Sequence, residues 1–78
     1  MTIYTTSWCG YCARLKRQLD RHGVPYVEVD IERHPEAAQF VMGVNRGNRT
    51  VPTVAFADGT VMTNPPMARV LGHLAGAA

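Results

Sequence analysis

The sequence predicts an α/β domain in which a four-stranded mixed sheet is flanked by three helices, in the order β-α-β-α-β-β-α. Apolar residues recur with period two in some segments and with helical spacing in others. A helical segment separates the first two predicted strands, which makes those strands parallel. Asp58-Gly59 predicts a tight two-residue hairpin turn, which makes the last two strands antiparallel.

Length and charge limit the classes of function. With 78 residues, 46% of them hydrophobic, the chain is expected to form one domain over residues 1–78, and a monomer is the default. A net charge of +2 is too small to indicate a nucleic-acid partner. The basic residues cluster on the first predicted helix, where they form a solvated face or attract acidic substrates. Because the N-terminal residues lack a signal-peptide pattern and no segment is long enough to cross a bilayer, we expect a cytoplasmic protein without a membrane partner.

The first half of the chain predicts a strand, a helix and a second strand. Residues 2–6 are rich in β-forming residues, and helical spacing begins at Gly10. Gly23 is expected to end this helix, because glycine adopts the left-handed conformation at little cost. Residues 25–30 alternate with period two and predict the second strand. The apolar face of the helix consists of Cys12, Leu15 and Leu19.

The second half predicts a helix, a hairpin and a last helix. Pro35 suits the first turn of the middle helix, and Gly47 is its expected stop. Residues 51–57 and 60–62 predict the third and fourth strands. Asn64 is expected to cap the last helix, with Pro65 at its first position. The apolar face predicted for the middle helix consists of Phe40, Val41 and Val44.

Two cysteines in a strand–CxxC–helix context carry the predicted chemistry. Cys9 directly precedes the first helix, whose unpaired N–H groups and dipole favour a thiolate there. The thiolate is the nucleophilic form of cysteine. Cys12 lies one turn later on the same face, within reach for a disulfide, and is expected to be the more buried and less reactive partner. We therefore predict a redox-active pair.

Two other interpretations of the cysteine pair remain open. A CxxC motif can supply half of a zinc site, but such a site needs four ligands. The chain has no second CxxC, and its three histidines are widely separated. We therefore expect no bound metal or cofactor. Alternatively, Cys9 and Cys12 are inert buried cysteines.

Taken together, the motifs resemble those of glutaredoxin-like members of the thioredoxin superfamily. The resemblance covers almost the whole chain and rests on Trp8-Cys9-Gly10-Tyr11-Cys12, Thr50-Val51-Pro52 and Asp58-Gly59. It implies a thioredoxin fold of glutaredoxin type, with Cys9 as nucleophile and Cys12 as resolving cysteine.

The resemblance also implies that Pro52 is a cis proline facing Cys9, although a trans proline that begins a strand is the alternative. The backbone of Val51 would then be free to pair with a peptide-like substrate. Trp8 and Tyr11 flank the sulfur and are expected to shape the docking surface, unless they are packing residues.

Among glutaredoxin-like proteins, the chain most resembles the mycoredoxins, which work with mycothiol. The segment Met62-Thr63-Asn64-Pro65 lacks the acidic residue that glutaredoxins use to hold the charged end of glutathione. Mycothiol is a sugar–inositol thiol without glutathione's free carboxylates, so Thr63 and Asn64 would suit it better than a charge clamp. Arg49 matches an arginine often found there in glutaredoxins, as a ligand contact or as a solvated side chain.

The resemblance implies reduction of protein–mycothiol mixed disulfides, with mycothiol as co-substrate and with mycothiolated or disulfide-containing proteins as partners. One alternative is a dithiol electron donor that thioredoxin reductase or glutathione reduces. Such carriers have a Trp-Ser-Gly-Phe-like segment near the C-terminus, where this chain has residues 63–66. The other is a non-enzymatic zinc- or cluster-binding adaptor.

Overall fold

The chain follows the predicted order of strands and helices. The structure is a computed structural model that describes residues 1–76, and the last two residues of the predicted domain 1–78 lie outside the described residues. The described part contains the elements β1 (Thr2–Thr5), α1 (Gly10–Arg21), β2 (Val27–Asp30), α2 (Pro35–Val44), β3 (Thr53–Ala55), β4 (Val61–Thr63) and α3 (Met67–Gly76). The predicted fold class is therefore confirmed.

The four strands form one mixed sheet in the order β2-β1-β3-β4. β1 pairs in parallel with β2, and Thr2 lies opposite Val27. β1 also pairs antiparallel with β3, which pairs antiparallel with β4. Both predicted strand directions are confirmed. A helical crossover separates the parallel strands β1 and β2, and a short hairpin joins the antiparallel strands β3 and β4.

The hairpin loop is one residue longer than predicted. The N–H of Phe56 donates to the carbonyl of Thr60, so residues 57–59 form a three-residue loop. Gly59 has a φ of 91°, the left-handed conformation that closes such loops. The Asp58 carboxylate accepts the N–H of Thr60 at 2.9 Å.

Helices cover both faces of the sheet. Ile3 and Tyr4 point to opposite faces, because side chains alternate along a strand. The larger cluster, under α1 and α3, contains Ile3, Leu15, Leu19, Val54, Phe56, Met62 and Val70. The smaller cluster, under α2, contains Ile31, Ala37, Ala38 and Val41, with Tyr4, Val29 and Val51 packed against it.

The buried face of α1 agrees with the prediction, whereas the buried face of α2 agrees with it only in part. The predicted face of α1 is confirmed, since Cys12, Leu15 and Leu19 are all buried. On α2, Val41 is buried together with the small residues Ala37 and Ala38, whereas Phe40 and Val44 remain exposed. Phe40 instead stacks at the edge of the cluster, with its ring centroid 5.0 Å from that of Tyr4.

Prolines shorten the elements they precede. The residue before a proline disfavours the helical conformation, so Pro65, which precedes Pro66, cannot begin α3 as predicted. The first turn of α3 is closed by the N–H of Arg69, which donates to the carbonyl of Pro66 at 3.0 Å. Pro52 and Pro25 likewise lie outside β3 and β2, because proline has no N–H for a strand ladder. Among the described residues, no helix is both long and apolar enough to cross a bilayer.

Candidate active site

Cys9 lies between β1 and α1 and is the N-cap residue of the helix. Its backbone is extended, and its sulfur accepts the N–H of Cys12 at 3.1 Å. The cap position therefore aims one of the unpaired N–H groups of the helix at the sulfur. Cys9 is partly exposed, and α1 has no acidic residue in its first turn to oppose a negative charge. This arrangement suits a thiolate that a substrate can reach.

Cys12 lies on the buried face of α1, and only 1% of its surface is exposed. Burial, together with a smaller effect of the hydrogen bond with Cys9, raises the pKa of the Cys12 thiol to about 12. Cys12 therefore stays protonated at neutral pH. Both cysteines are free thiols in the structure.

The loop before β3 brings Val51 and Pro52 against Cys9. The Val51–Pro52 peptide bond is cis, as the resemblance implies. The Cys9 sulfur lies 3.9 Å from the carbonyl oxygen of Val51, to which the thiol form can donate. Because β3 begins at Thr53, the backbone of Val51 takes no part in the pairing of β3 with β1.

Two aromatic side chains of the cysteine motif are exposed on the surface. Trp8 is 73% exposed and Tyr11 is 66% exposed, so neither is a packing residue. Tyr11 lines a groove of about 300 Å³ between α1 and the segment that leads into α3. The polar residues of this groove are Tyr11, Arg14, Gln18 and Asn64.

Asn64 does not cap α3, which begins three residues later. It has a φ of 45°, a conformation that asparagine tolerates better than most residues, and its N–H donates to the carbonyl of Pro52 at 2.7 Å. This hydrogen bond joins the segment after β4 to the Pro52 loop. The Asn64 side chain lines the groove beside Tyr11. Thr63 is exposed, and its hydroxyl donates to Asn45 at 2.7 Å.

Arg49 lies apart from this groove. It is exposed and lines a separate cavity of about 290 Å³ with Pro35 and Gln39 of α2. The structure therefore brings together Cys9, Cys12, Val51, Pro52, Tyr11 and Asn64, but it does not bring Arg49 into the groove. In residues 1–76, no group of three or more His, Cys, Asp or Glu side chains is arranged to hold a metal ion.

The geometry agrees with what comparisons with known proteins show. A sequence model of the glutaredoxin family matches residues 1–62. This chain belongs to the glutaredoxin family. It is a glutaredoxin-type redox protein, and the family resemblance found in its sequence is confirmed.

Three relatives show where this glutaredoxin-family protein stands among similar proteins. It is 60% identical to a Mycobacterium tuberculosis protein whose name describes it as a glutaredoxin, over 95% of this chain and 88% of that protein. It is 46% identical to Mycoredoxin 1 of Corynebacterium glutamicum, over 95% of this chain and 91% of the relative. It is 33% identical to the glutaredoxin-like protein NrdH of Escherichia coli, over 74% of this chain and 69% of that protein.

Asn45, which follows α2, is the residue near the site that sequence reasoning missed. Its amide group donates to the carbonyl of Val41 at 2.8 Å and to the hydroxyl of Thr53 at 3.1 Å, while its oxygen accepts from Thr63. The Thr53 hydroxyl in turn donates to the carbonyl of Thr50 at 2.7 Å. An asparagine at a helix end predicts only a local cap, so no sequence signal pointed to these partners on two strands.

Proposed function

We propose that this protein reduces mixed disulfides between proteins and mycothiol. The observation that carries the proposal is the partly exposed Cys9 sulfur at the N-terminus of α1, bonded by the N–H of Cys12. The Cys9 thiolate attacks the mycothiol-side sulfur of the mixed disulfide, and the target protein leaves as a thiolate. A second mycothiol then attacks Cys9, forms mycothiol disulfide and regenerates the thiolate.

Cys12 acts as a resolving cysteine in a side route. Its sulfur can attack the Cys9 mixed disulfide to give an intramolecular Cys9–Cys12 disulfide. Because its thiol is buried and has a pKa of about 12, little of the attacking thiolate forms at neutral pH. The main cycle therefore needs Cys9 alone, and Cys12 is dispensable in it.

Mycothiol is favoured as the co-substrate by similarity and by the chemistry of the groove beside Tyr11. The chain is 46% identical to Mycoredoxin 1. No carboxylate lies among the residues that line this groove, so nothing there would hold the charged amino end of glutathione. The Tyr11 hydroxyl and the amide groups of Gln18 and Asn64 suit the hydroxyl groups of a sugar–inositol ligand.

The protein substrate would dock on the exposed surface around Cys9. Trp8 and Tyr11 offer aromatic area there, and the backbone of Val51 beside Pro52 can pair with an extended peptide. Thr63 contributes an exposed hydroxyl, and Arg49 contributes a cation from the separate cavity beside α2. We propose that the protein works as a cytoplasmic monomer on mycothiolated or disulfide-containing proteins, without a bound cofactor, a nucleic acid or a membrane.

The proposal predicts a dependence on the reductant. One model protein–mycothiol mixed disulfide is supplied in turn with mycothiol, with glutathione, and with NADPH and thioredoxin reductase, and release of the protein thiol is followed. We expect the fastest turnover with mycothiol, because the groove lacks a carboxylate for the charged amino end of glutathione. Cys9→Ser should abolish turnover, and Cys12→Ser should keep a substantial part of it.

Other outcomes of this experiment would support different functions. Rapid reduction by thioredoxin reductase alone would favour a dithiol electron donor, to which the 33% identity with NrdH gives some support. Full activity of Cys9→Ser would contradict the assignment of the nucleophile. One metal ion per chain in elemental analysis of freshly purified protein, with both thiols blocked, would favour a metal-binding adaptor.

A further inference from the structure

The side chain of Lys16 lies one helical turn after Cys12 on α1. Residues four apart on a helix share a face, with Cβ atoms about 5–6 Å apart. Lys16 Nζ donates to a carboxylate oxygen of Glu28 on β2 at 2.8 Å, and the Thr5 hydroxyl donates to the same oxygen at 2.8 Å. The ammonium group is therefore held where α1, β1 and β2 meet.

Two adjacent residues at the end of β1, Thr5 and Thr6, act on the ion pair and on the Cys12 thiol respectively. Thr5, at the end of β1, is 1% exposed and donates to Glu28, while the backbone of the next residue, Thr6, acts to lower the pKa of the Cys12 thiol. A polar cavity of about 480 Å³ opens beside Thr5, Lys16 and Glu28 and connects them to solvent. Cys12 is thus buried, and Lys16, one helical turn away, lies beside a polar opening.

The charges around Cys12 act in opposing directions. Burial is the largest cause of its raised pKa, and the positive charge of Lys16 acts the other way. Hydrogen bonding with Glu28 raises the pKa of Lys16, and hydrogen bonds from Lys16 and then Thr5 lower the pKa of Glu28. Both groups consequently remain charged at neutral pH.

Cys9 and Lys16 are the ionisable groups whose charges act on the pKa of the Cys12 thiol. Tyr26 acts on the pKa of Lys16, and Asp20 acts on that of Tyr26. Asp30, Arg33 and His34 line the polar cavity together with Lys16. Cys9 is the other ionisable group bonded to Cys12, and it is consumed in the mixed disulfide before resolution begins. During resolution, Lys16 is therefore the charged group that acts on Cys12, and Glu28 is the partner of Lys16.

We propose that Lys16 is a positioning residue for the resolving step: held by Glu28 and Thr5, its ammonium group stabilises the negative charge of the Cys12 sulfur as that sulfur attacks Cys9. This inference rests on the proposed function. In the step, Cys12 gives its proton to solvent and its sulfur bonds to the Cys9 sulfur. The bond between Cys9 and the bound thiol breaks, and that thiol leaves as a thiolate with the electron pair. Glu28 positions Lys16 but partly neutralises its charge.

The test uses an aromatic disulfide, dithiobis(nitrobenzoate), and no mycothiol. Attack by Cys9 releases one coloured thiolate at a rate that depends on reagent concentration. Attack by Cys12 on the resulting mixed disulfide then releases a second one at a rate that does not depend on it. Stopped-flow measurement of this second phase as a function of pH reports the Cys12 thiolate, and Cys12→Ser should remove the phase.

The variants are expected to shift the second phase in opposite directions. Lys16→Gln removes the cation and should slow the phase roughly three- to tenfold near neutral pH and raise its pH midpoint, since a half-exposed and paired charge has a modest effect. Lys16→Arg keeps the cation and should restore most of the rate. Glu28→Gln keeps an oxygen for Lys16 but removes the opposing charge, so it should lower the midpoint.

Arg17→Gln is the matched control, because it makes the same charge change on an exposed position of α1 and should leave the second phase unchanged. The inference would be overturned by unchanged midpoints, or by shifts of Lys16→Gln and Glu28→Gln in the same direction. If Lys16→Gln does not fold, Lys16→Arg and Glu28→Gln decide between these outcomes. A wild-type protein without the first phase would contradict the proposed function and this inference with it. A normal first phase with unshifted profiles would contradict the inference alone.

Discussion

Cys9 and Cys12, two thiols on the first turn of one helix, differ in environment more than in position. The Cys9 sulfur accepts a helix N–H and is open to substrate, whereas Cys12 is 1% exposed. Helix periodicity explains the difference, because the N-cap lies at the surface and the residue one turn later faces the sheet. The same geometry supports the proposed role of Cys9 as nucleophile and keeps the Cys12 thiol protonated at neutral pH.

Selective alkylation follows from this difference. With a pKa of about 12, the Cys12 thiol is mostly protonated below that pH, and only roughly one part in ten thousand is thiolate at about pH 8. Iodoacetamide at that pH should therefore label Cys9 at least about a hundredfold faster than Cys12. Peptide mass spectrometry after brief labelling of the reduced protein measures both rates.

Denatured protein is the control for selective alkylation. In urea both thiols are exposed to solvent, so their labelling rates should become similar. Comparable labelling of Cys9 and Cys12 in the folded protein would contradict the burial of Cys12. Preferential labelling of Cys12 would reverse the proposed roles.

At the scale of single elements, the ends of the helices depend on backbone conformation. Gly23 follows α1 with a φ of 67°; its N–H donates to the carbonyl of Asp20, and the N–H of Val24 donates to that of Leu19. These are the two hydrogen bonds of a Schellman motif, in which Gly23 is the left-handed residue. The predicted stop at Gly23 is therefore confirmed together with its reason.

α2 ends differently from the prediction. The helix stops at Val44, and the left-handed position is taken by Arg46, with a φ of 56°. Gly47, the expected stop, is the next residue and closes the motif by donating its N–H to the carbonyl of Met42 at 2.7 Å. Glycine near a helix end thus predicted the motif but not the position within it.

The same substitution at two glycines should change stability in opposite directions. Gly23→Ala places a side chain in the left-handed region and should lower the free energy of unfolding by about 1 kcal/mol. Gly43→Ala, at an exposed position inside α2, should raise it by about 0.5–1 kcal/mol, because alanine has the higher helix propensity. Urea unfolding measures both changes.

The two variants serve as controls for each other, since each adds one methyl group. At both positions an added Cβ would meet no atom within 4 Å apart from the adjacent residues and the helix's own backbone, so tertiary packing does not affect the comparison. A loss of stability in Gly43→Ala as large as that in Gly23→Ala would argue against the conformational explanation.

At the scale of the whole molecule, Asn45 joins α2 to the sheet and to the loop that holds Pro52. Removal of its side chain leaves the hydroxyls of Thr53 and Thr63 without this partner. We expect Asn45→Ala to lower the free energy of unfolding by about 1–3 kcal/mol, as loss of partly buried hydrogen bonds does. Urea unfolding monitored by circular dichroism measures the loss.

Asn48→Ala is the matched control for Asn45. It removes the same chemical group from an exposed residue of the same connection. Its effect should stay within about 0.5 kcal/mol, as is usual for surface positions. Equal effects of the two substitutions would show that the hydrogen bonds of Asn45 contribute little.

The sequence by itself determined the order of the elements, the strand directions, the buried face of α1 and the cysteine pair. These properties depend on local patterns: apolar spacing, glycine and proline, and the short distance between Cys9 and Cys12. Periodicity could not show which apolar residues of α2 are buried, because only contact with the sheet selects Ala37 and Ala38 over Phe40.

Only the tertiary structure decided which distant side chains meet. Glu28 reaches Lys16 because β2 pairs in parallel with β1, beside which α1 packs. The Asn64 N–H reaches Pro52 because β4 pairs with β3, and Arg49 faces α2 rather than the groove of Tyr11. Contacts of this kind depend on strand register and helix packing, which a single sequence does not encode locally.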